Sequence, residues 1–248
     1  MRRIAVIPAR GGSKRLPGKN IVDFEGRPII AYTIDAARDS GLFERLVVST
    51  EDDEIAAVSK GCGAEVEIRP VELASGSAHL SDVLIDLFDR ELAAGRDYDQ
   101  FCMVHATAPL RRAEDIAAVV GLLEEGVCHF AIALTEYNLP AFQALKLGED
   151  GLLTPMWPEC VSAQSHGFPP LRCGNGSTYA AFIGAFREQR SFFGQPLRGH
   201  LMERMRSIDI DAAEDLEIAK LYKRYLDGKS RGHPSTASQR RHRSLGLK

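Results

Sequence analysis

Residues 4–20 read Ile4-Ala-Val-Ile-Pro-Ala-Arg-Gly-Gly-Ser-Lys-Arg-Leu-Pro-Gly-Lys-Asn20, an apolar run followed by a loop rich in glycine and basic residues. Its first four residues are apolar, too few for a helix, and a proline follows them, which predicts a short buried strand. Residues 10–20, the basic loop, then carry three glycines and four Lys or Arg residues, and no acidic residue precedes Asp23. Such a loop after a strand is typical of phosphate binding in α/β proteins. The spacing of its glycines fits neither a Walker A loop nor a dinucleotide-binding loop. The alternative to phosphate binding is an exposed basic turn.

The composition narrows the class of protein. A chain of 248 residues with 44% hydrophobic content predicts one α/β domain with a full core. The five cysteines are scattered without a C-x-x-C pair, which favours reduced thiols and a cytoplasmic location over a disulfide framework or a zinc site. No apolar run is long enough for a signal peptide or a membrane span, so we expect no membrane association.

Charge is distributed unevenly along the chain. The net charge is −3, but residues 227–248 hold six basic residues and one acidic residue, so the rest of the chain is acidic. An acidic body with a basic first loop indicates local anion binding, not a nucleic-acid surface.

Strands alternate with helices along most of the chain, which predicts a Rossmann-like, mostly parallel sheet with helices on both faces. Loops at the carboxyl ends of its strands should line the site. Thr50 is predicted to cap the second helix. Further predicted strands cover residues 46–49, 65–68, 101–104, 130–135, 177–183 and 207–210. Predicted helices cover residues 29–40, 52–60, 113–125, 184–190 and 213–226, with one more after residue 80.

The alternation breaks in residues 136–176, the excursion, which contain five prolines and no helical pattern. Short apolar pieces at 141–147 and 152–153 predict an antiparallel arrangement there. Residues 1–226 are predicted to form one domain. Residues 227–248 lack an apolar pattern and are predicted to be a disordered basic tail.

The segment IPARGGSKRLPGKN resembles the signature loop of the CMP-sugar-acid synthetases, the cytidylyltransferases that activate sialic acid and its bacterial relatives. The resemblance covers about residues 3–226 and implies a nucleotide-diphospho-sugar transferase type of fold, CTP and a nonulosonic acid as substrates, and a homodimer joined through the excursion. It implies catalytic roles for Arg10, Lys19 and Asp211. It also implies that the nucleotide is bound by Ala9, Arg10, Gly12, Lys14, Lys19, Asn20, Arg69 and Ala78.

Two aspartates two residues apart, Asp209 and Asp211, are candidate metal ligands. In a strand both carboxylates would share one face, and paired carboxylates suit Mg²⁺. An aspartate pair also precedes the last helix in the resembled family, so the resemblance implies a magnesium site. The alternative is an edge strand with a solvated acidic face. Asp211 could bind the metal or assist deprotonation of the acid's hydroxyl, and the sequence does not separate these roles.

Two segments resemble the family's sugar-facing loops. His105-Ala-Thr-Ala-Pro-Leu-Arg111 matches Gln-Pro-Thr-Ser-Pro-Leu-Arg except at His105, and Ala163 stands where an Arg is usual. Trp157 resembles a feature of the family branch that acts on pseudaminic acid. The run Asn175-Gly-Ser-Thr-Tyr179 instead resembles the branches that act on sialic and legionaminic acids. The resemblance implies that the acid is bound by His105, Thr107, Gln164, Arg172, Asn175 and Tyr179.

Three alternatives to this function remain open. A CMP-Kdo synthetase has a similar first loop. A GT-A-like glycosyltransferase would also hold Mg²⁺ on paired aspartates, although a diphosphate needs less cationic charge than this loop supplies. A non-catalytic nucleotide-binding protein is the third alternative, and the intact set of Arg10, Lys19, Asp209 and Asp211 argues against it.

Overall fold

The computed structural model describes residues 1–74, 78–137, 141–161 and 168–232. The strands are β1 (Arg3–Pro8), β2 (Asp23–Phe24), β3 (Arg27–Pro28), β4 (Arg45–Thr50), β5 (Glu65–Ile68), β6 (Gln100–Val104), β7 (Phe130–Glu136), β8 (Leu145–Leu147), β9 (Leu153–Pro155), β10 (Arg172–Phe182) and β11 (Leu197–Leu201). The helices are α1 (Ile29–Asp39), α2 (Asp53–Gly61), α3 (Leu80–Ala93), α4 (Ala113–Val120), α5 (Ile183–Gln189) and α6 (Ala213–Gly232).

The central sheet has seven strands in the order β11-β7-β10-β6-β1-β4-β5. β1 pairs in parallel with β4 and β6, β4 with β5, and β7 with β11. β10 alone in this sheet runs antiparallel, and it pairs with both β6 and β7. The predicted fold class, a mostly parallel sheet of Rossmann-like type, is confirmed.

Alternation along the strands divides the core into two layers. Ile4 and Val6 of β1 pack in the layer that contains α3 and α5. Ala5 and Ile7 pack in the opposite layer with α1, α2 and α4. All four side chains are fully buried, because both faces of a sheet of this kind are covered by helices.

A third apolar cluster fixes the position of α6. Phe24 and Ile29 pack there against Ile210 and Leu216. This contact places the chain between Ile210 and α6 next to the segment that follows the basic loop.

Two helix predictions were wrong in detail. α4 ends at Val120, five residues before the predicted end, because the chain turns at Gly121 and then forms a bridge between Glu124 and Cys128. Asp52, not Thr50, caps α2: its side chain accepts a hydrogen bond of 2.9 Å from the Ile55 N–H. Thr50 remains the last residue of β4.

The prediction of a strand at residues 207–210 was also wrong. These residues form no strand within the described parts of the chain, and Ile210 donates its N–H to the carbonyl of Thr107 at 2.9 Å. Sequence analysis missed β11 and the short pair of β2 and β3. α6 runs to Gly232, six residues beyond its predicted end. The rest of the predicted tail lies outside the described residues.

The excursion contains an antiparallel pair, β8 with β9, as predicted. Its first piece is shorter than expected, because residues 141–143 form a 3-10 turn before β8. β10 begins five residues earlier than the predicted strand. Among the described parts of the chain, no helix combines the length and the apolar character needed to cross a membrane.

Candidate active site

The basic loop is held at both of its ends. Ala9, immediately before the loop, is fully buried and donates its N–H to the Ser49 carbonyl at 2.9 Å. Asn20 is also buried, and its side-chain Nδ2 donates to the Arg10 carbonyl at 2.9 Å. These two contacts fix where the loop leaves the sheet and where it returns.

Two adjoining cavities, together called the cleft, lie at the carboxyl end of β1. Their volumes are about 230 Å³ and about 650 Å³, and both are lined by Arg10, Lys19 and Asn20. The smaller cavity is also lined by Arg69, Ala78, His105 and Thr107, and the larger by Gly12, Lys14 and Arg15. The structure therefore brings together seven of the eight predicted nucleotide-binding residues. The eighth, Ala9, is buried beneath the loop.

Asp211 pairs with two cations of the basic loop. Its Oδ1 lies 2.8 Å from Lys19 Nζ, and its Oδ2 lies 2.7 Å from Arg15 Nη2. The hydrogen bond from Lys19, with another from Arg15, lowers the pKa of Asp211. Asp211 is therefore an ionised carboxylate that holds the loop, and a lowered pKa makes it a weaker base.

Asp209 points to the neighbouring loop. Thr107 Oγ1 donates a hydrogen bond of 2.6 Å to Asp209 Oδ1. The Asp209 carboxylate also lies against Gly176, where a side chain would collide with Oδ2. Gly176 has a φ of 73°, so two constraints favour glycine at this position.

The two aspartates fit a magnesium ion only with help from a substrate. Within the described ranges no group of three or more His, Cys, Asp or Glu side chains could hold a metal. Asp209 and Asp211 supply two carboxylates at the cleft, and Mg²⁺ commonly takes one or two carboxylates and completes its shell with phosphate and water. The donor set is consistent with that mode.

His105 is a neutral imidazole at the edge of the cleft. Burial lowers the pKa of His105, although Asp209 opposes this shift. Its ring lies edge to face with Tyr179, with the centroids 6.1 Å apart, and burial raises the pKa of Tyr179. A neutral imidazole offers one donor and one acceptor, as the amide of the Gln in the resembled family does.

Sequence analysis gave no role to Arg111, which is buried behind His105. Burial lowers the pKa of Arg111 to about 10, so it stays charged at neutral pH. It donates to the Ser177 carbonyl and to Thr33 Oγ1, both at 2.8 Å, and so ties the loop after β6 to β10 and α1. The run His105–Arg111 contained the residue, but nothing in the sequence showed that its guanidinium turns inward.

The remaining predicted acid-binding residues are placed differently from one another. Arg172 is the first residue of β10 and lies in the part of that strand that extends past the end of β6. Its side chain is exposed and pairs with Glu136 at 3.1 Å. Asn175 is buried, and both ends of its amide are used within the chain, by Ser177 and Ser207. That arrangement favours a structural function for Asn175. Gln164 lies outside the described residues.

The excursion exposes a set of apolar side chains. Leu147 and Leu152 are each 67% exposed, and Leu153 is 59% exposed. Trp157 packs edge to face on Phe142, with the centroids 5.8 Å apart. An apolar group of this size on a surface is typical of an interaction site.

The chain is similar in sequence to several known proteins. A family model described as Cytidylyltransferase matches residues 4–138. The chain is 32% identical over 225 residues to pseudaminic acid cytidylyltransferase of Campylobacter jejuni, covering 90% of this chain and 97% of that protein. It is 33% identical over 223 residues to CMP-N,N'-diacetyllegionaminic acid synthase of Legionella pneumophila, covering 89% of this chain and 95% of that protein.

Two further similarities are more distant. The chain is 30% identical over 219 residues to N-acylneuraminate cytidylyltransferase of Escherichia coli, covering 87% of this chain but 51% of that protein. Among solved structures, CMP:2-keto-3-deoxy-manno-octonic acid synthetase complexed with CTP aligns with a TM-score of 0.66 at 17% identity, covering 91% of this chain and 100% of that one. At this identity the structural match shows a shared fold.

Proposed function

The chain belongs to the cytidylyltransferase family, and we propose that it transfers CMP from CTP to the anomeric hydroxyl of a nonulosonic acid and releases pyrophosphate. The observation that carries this proposal is the cleft, in which Arg10, Lys19 and Asn20 line both cavities. A cationic wall shared by two adjoining cavities suits a triphosphate that must be held while a second substrate reaches its α-phosphorus.

The reaction depends on charge and position. The hydroxyl oxygen forms a bond to the α-phosphorus while the bond from that phosphorus to the bridging oxygen of pyrophosphate breaks, and the hydroxyl proton is released to water. Both substrates are anions, so Arg10, Lys14 and Lys19 would neutralise the triphosphate and the leaving group. Holding the two substrates in line supplies a further part of the acceleration, and no covalent intermediate is needed.

Magnesium is the cation we propose for this site. Asp209 and Asp211 would hold it, and it would neutralise charge on the phosphate oxygens. The lowered pKa of Asp211 favours a metal-binding function over that of a general base, because its carboxylate binds a proton weakly near pH 7. Both pairs that Asp211 makes join it to the loop that would carry the phosphates.

We propose a nine-carbon acid, not Kdo, as the acceptor substrate. The relatives named above act, by their names, on pseudaminic, legionaminic and neuraminic acids. Neutral His105 and Tyr179 offer hydrogen-bonding groups beside the cleft, and the exposed guanidinium of Arg172 suits a carboxylate. Because His105 and Ala163 depart from the sialic acid pattern, we favour legionaminic or pseudaminic acid. The described cysteines are free thiols, in keeping with a cytoplasmic enzyme.

The test is a pyrophosphate-release assay with each of the four common nucleoside triphosphates against a panel of sugar acids that includes Kdo. Release that requires CTP and a nine-carbon acid, with a CMP-sugar product, is the expected result. Turnover of Kdo with no product from any nine-carbon acid would favour the CMP-Kdo synthetase alternative. Release without any acid, or none with CTP, would contradict the proposed transfer.

Arg172 provides a second test of the acceptor side. Replacing it with Ala should raise the KM for the acid by about tenfold or more and leave the KM for CTP within about twofold, because only one substrate loses a contact. An equal rise in both KM values would contradict the proposal that Arg172 binds the acid.

A further inference from the structure

One acidic side chain lies behind the wall of the cleft and joins two parts of it. Glu51 follows β4 directly and precedes the cap of α2. Its Oε1 accepts a hydrogen bond of 2.9 Å from the N–H of Gly11 in the basic loop. Its Oε2 lies 3.6 Å from Nε of Arg69, which lines the smaller cavity. Each carboxylate oxygen therefore faces a different part of the proposed nucleotide site.

The contact between Glu51 and Arg69 is incomplete. Arg69 is 6% exposed, and its Nη2 donates to the Ser49 carbonyl. Arg69 Nε and Glu51 Oε2 are both buried atoms without a hydrogen-bond partner. A buried donor and a buried acceptor left open are unfavourable, and 3.6 Å exceeds the usual N–H···O distance of about 2.9 Å. A small movement of either side chain would close this bond.

The local charges give Glu51 a second function. Burial lowers the pKa of Arg69, the nearby Glu51 opposes this shift, and Arg10 adds to it. Arg69 thus sits close enough to Arg10 for the two cations to repel each other. Glu51 is the anion that offsets this repulsion at the back of the cleft.

We propose that Glu51 is a positioning residue that couples the basic loop to Arg69, aligning the Gly11 amide and the Arg69 guanidinium for the nucleotide without touching it. When the nucleotide fills the cavity, the gap between Arg69 Nε and Glu51 Oε2 closes. This inference rests on the proposed function only in taking CTP as the nucleotide.

The test is calorimetric titration with CTP alone, so that no acid is present and no turnover occurs. In Glu51→Gln the neutral amide can still accept from Gly11, but it no longer pairs with the cation of Arg69. We expect CTP to bind about tenfold or more weakly, as for the loss of a charged hydrogen-bond partner. The matched control is Glu54→Gln, which removes the same charge from an exposed position three residues along the chain. Its affinity should stay within about twofold of the unaltered protein.

Two further measurements separate positioning from folding. At saturating CTP, Glu51→Gln should leave the KM for the acid within about twofold, because its effect is confined to the nucleotide. In a double-mutant cycle with Arg69→Gln, the loss in the double variant should be smaller than the product of the two single losses.

Unchanged CTP affinity in folded Glu51→Gln overturns the inference, and so do two independent single losses in the cycle. If Glu51→Gln does not fold, Glu51→Asp keeps the charge but shortens the reach by one methylene group, and normal CTP binding there overturns the inference equally. Failure of the unaltered protein to bind CTP at all would instead refute the proposed function.

Discussion

Lys19 is the residue whose replacement should have the largest effect on catalysis. Its Nζ lines the cleft and pairs with Asp211, so it serves both the phosphates and the proposed metal ligand. Lys19→Ala should lower kcat at saturating CTP by about a hundredfold, as for loss of other preorganised charges. The control is Lys220→Ala on α6, which removes a cation that pairs with Glu217. A kcat near normal for Lys19→Ala would contradict the phosphate-binding function of the basic loop.

The lowered pKa of His105 should make the free energy of unfolding depend on pH. Its pKa is lowered in the folded chain, whereas an unfolded histidine has a pKa of about 6.5. Between these values the unfolded state binds a proton that the folded state does not, so the free energy of unfolding should fall as the pH drops below about 6.5. His105→Gln should flatten this decline, because the amide of glutamine does not titrate in this range. Denaturant titrations between pH 5 and 7 measure both proteins, and equal slopes would mean that His105 is not the group responsible.

The turn from β1 into the basic loop depends on a close approach between two elements. A side chain at Gly11 would collide with Asp52, the residue that caps α2, whereas nothing lies within 4 Å of such a side chain at Gly12. Gly11→Ala should therefore lower the free energy of unfolding by about 1 kcal/mol, the usual effect of losing a helix cap. Gly12→Ala should change it by less than about 0.5 kcal/mol. Chemical denaturation of both variants measures this difference, and equal stabilities would show that Asp52 moves aside freely.

The sequence predicted those strands and helices whose own residues show a clear apolar pattern. β1 was found because it is a continuous apolar run that ends at a proline, and α1 because its buried residues recur at helical spacing. β11 was missed because its apolar residues stand only at its ends and a glycine lies between them. That strand exists through its pairing with β7, where Gly199 leaves room for Leu134. A local pattern cannot report a partner that lies 67 residues away in the chain.

The same limit applies to the site. Arg10 and Lys19 were predicted because they lie within one short motif. The alternation around Asp209 and Asp211 predicted their shared direction but also a strand that does not form. The pairs of Asp211 with Arg15, of Asp209 with Thr107, and of Arg111 with Ser177 join distant segments, so only the folded chain reveals them.

The whole protein is predicted to be a dimer joined through the excursion. Four leucines of the excursion are more than half exposed, and exposed apolar side chains close together in the chain are typical of an interaction site. Light scattering should give twice the chain mass at high micromolar concentration. Leu147→Glu should favour the monomer, because it would bury an unpaired charge at the contact. The control Leu221→Glu changes an equally apolar residue on α6, 62% exposed, and should leave the dimer intact. A monomer of the unaltered chain at that concentration would contradict this prediction.

The place of β10 between β6 and β7 has a consequence for how the chain is made. A ribosome delivers β6 and β7 well before residues 172–182, so the nascent chain must wait with one edge of β6 unpaired and β7 apart from the sheet. An unpaired edge of this kind recruits other strands and promotes aggregation. A chain that stops after residue 138 would keep the basic loop and most of the parallel strands, yet it would never close that edge. We therefore expect the early half of the protein to depend on chaperones during synthesis, and to reach its final structure only when β10 joins the central sheet.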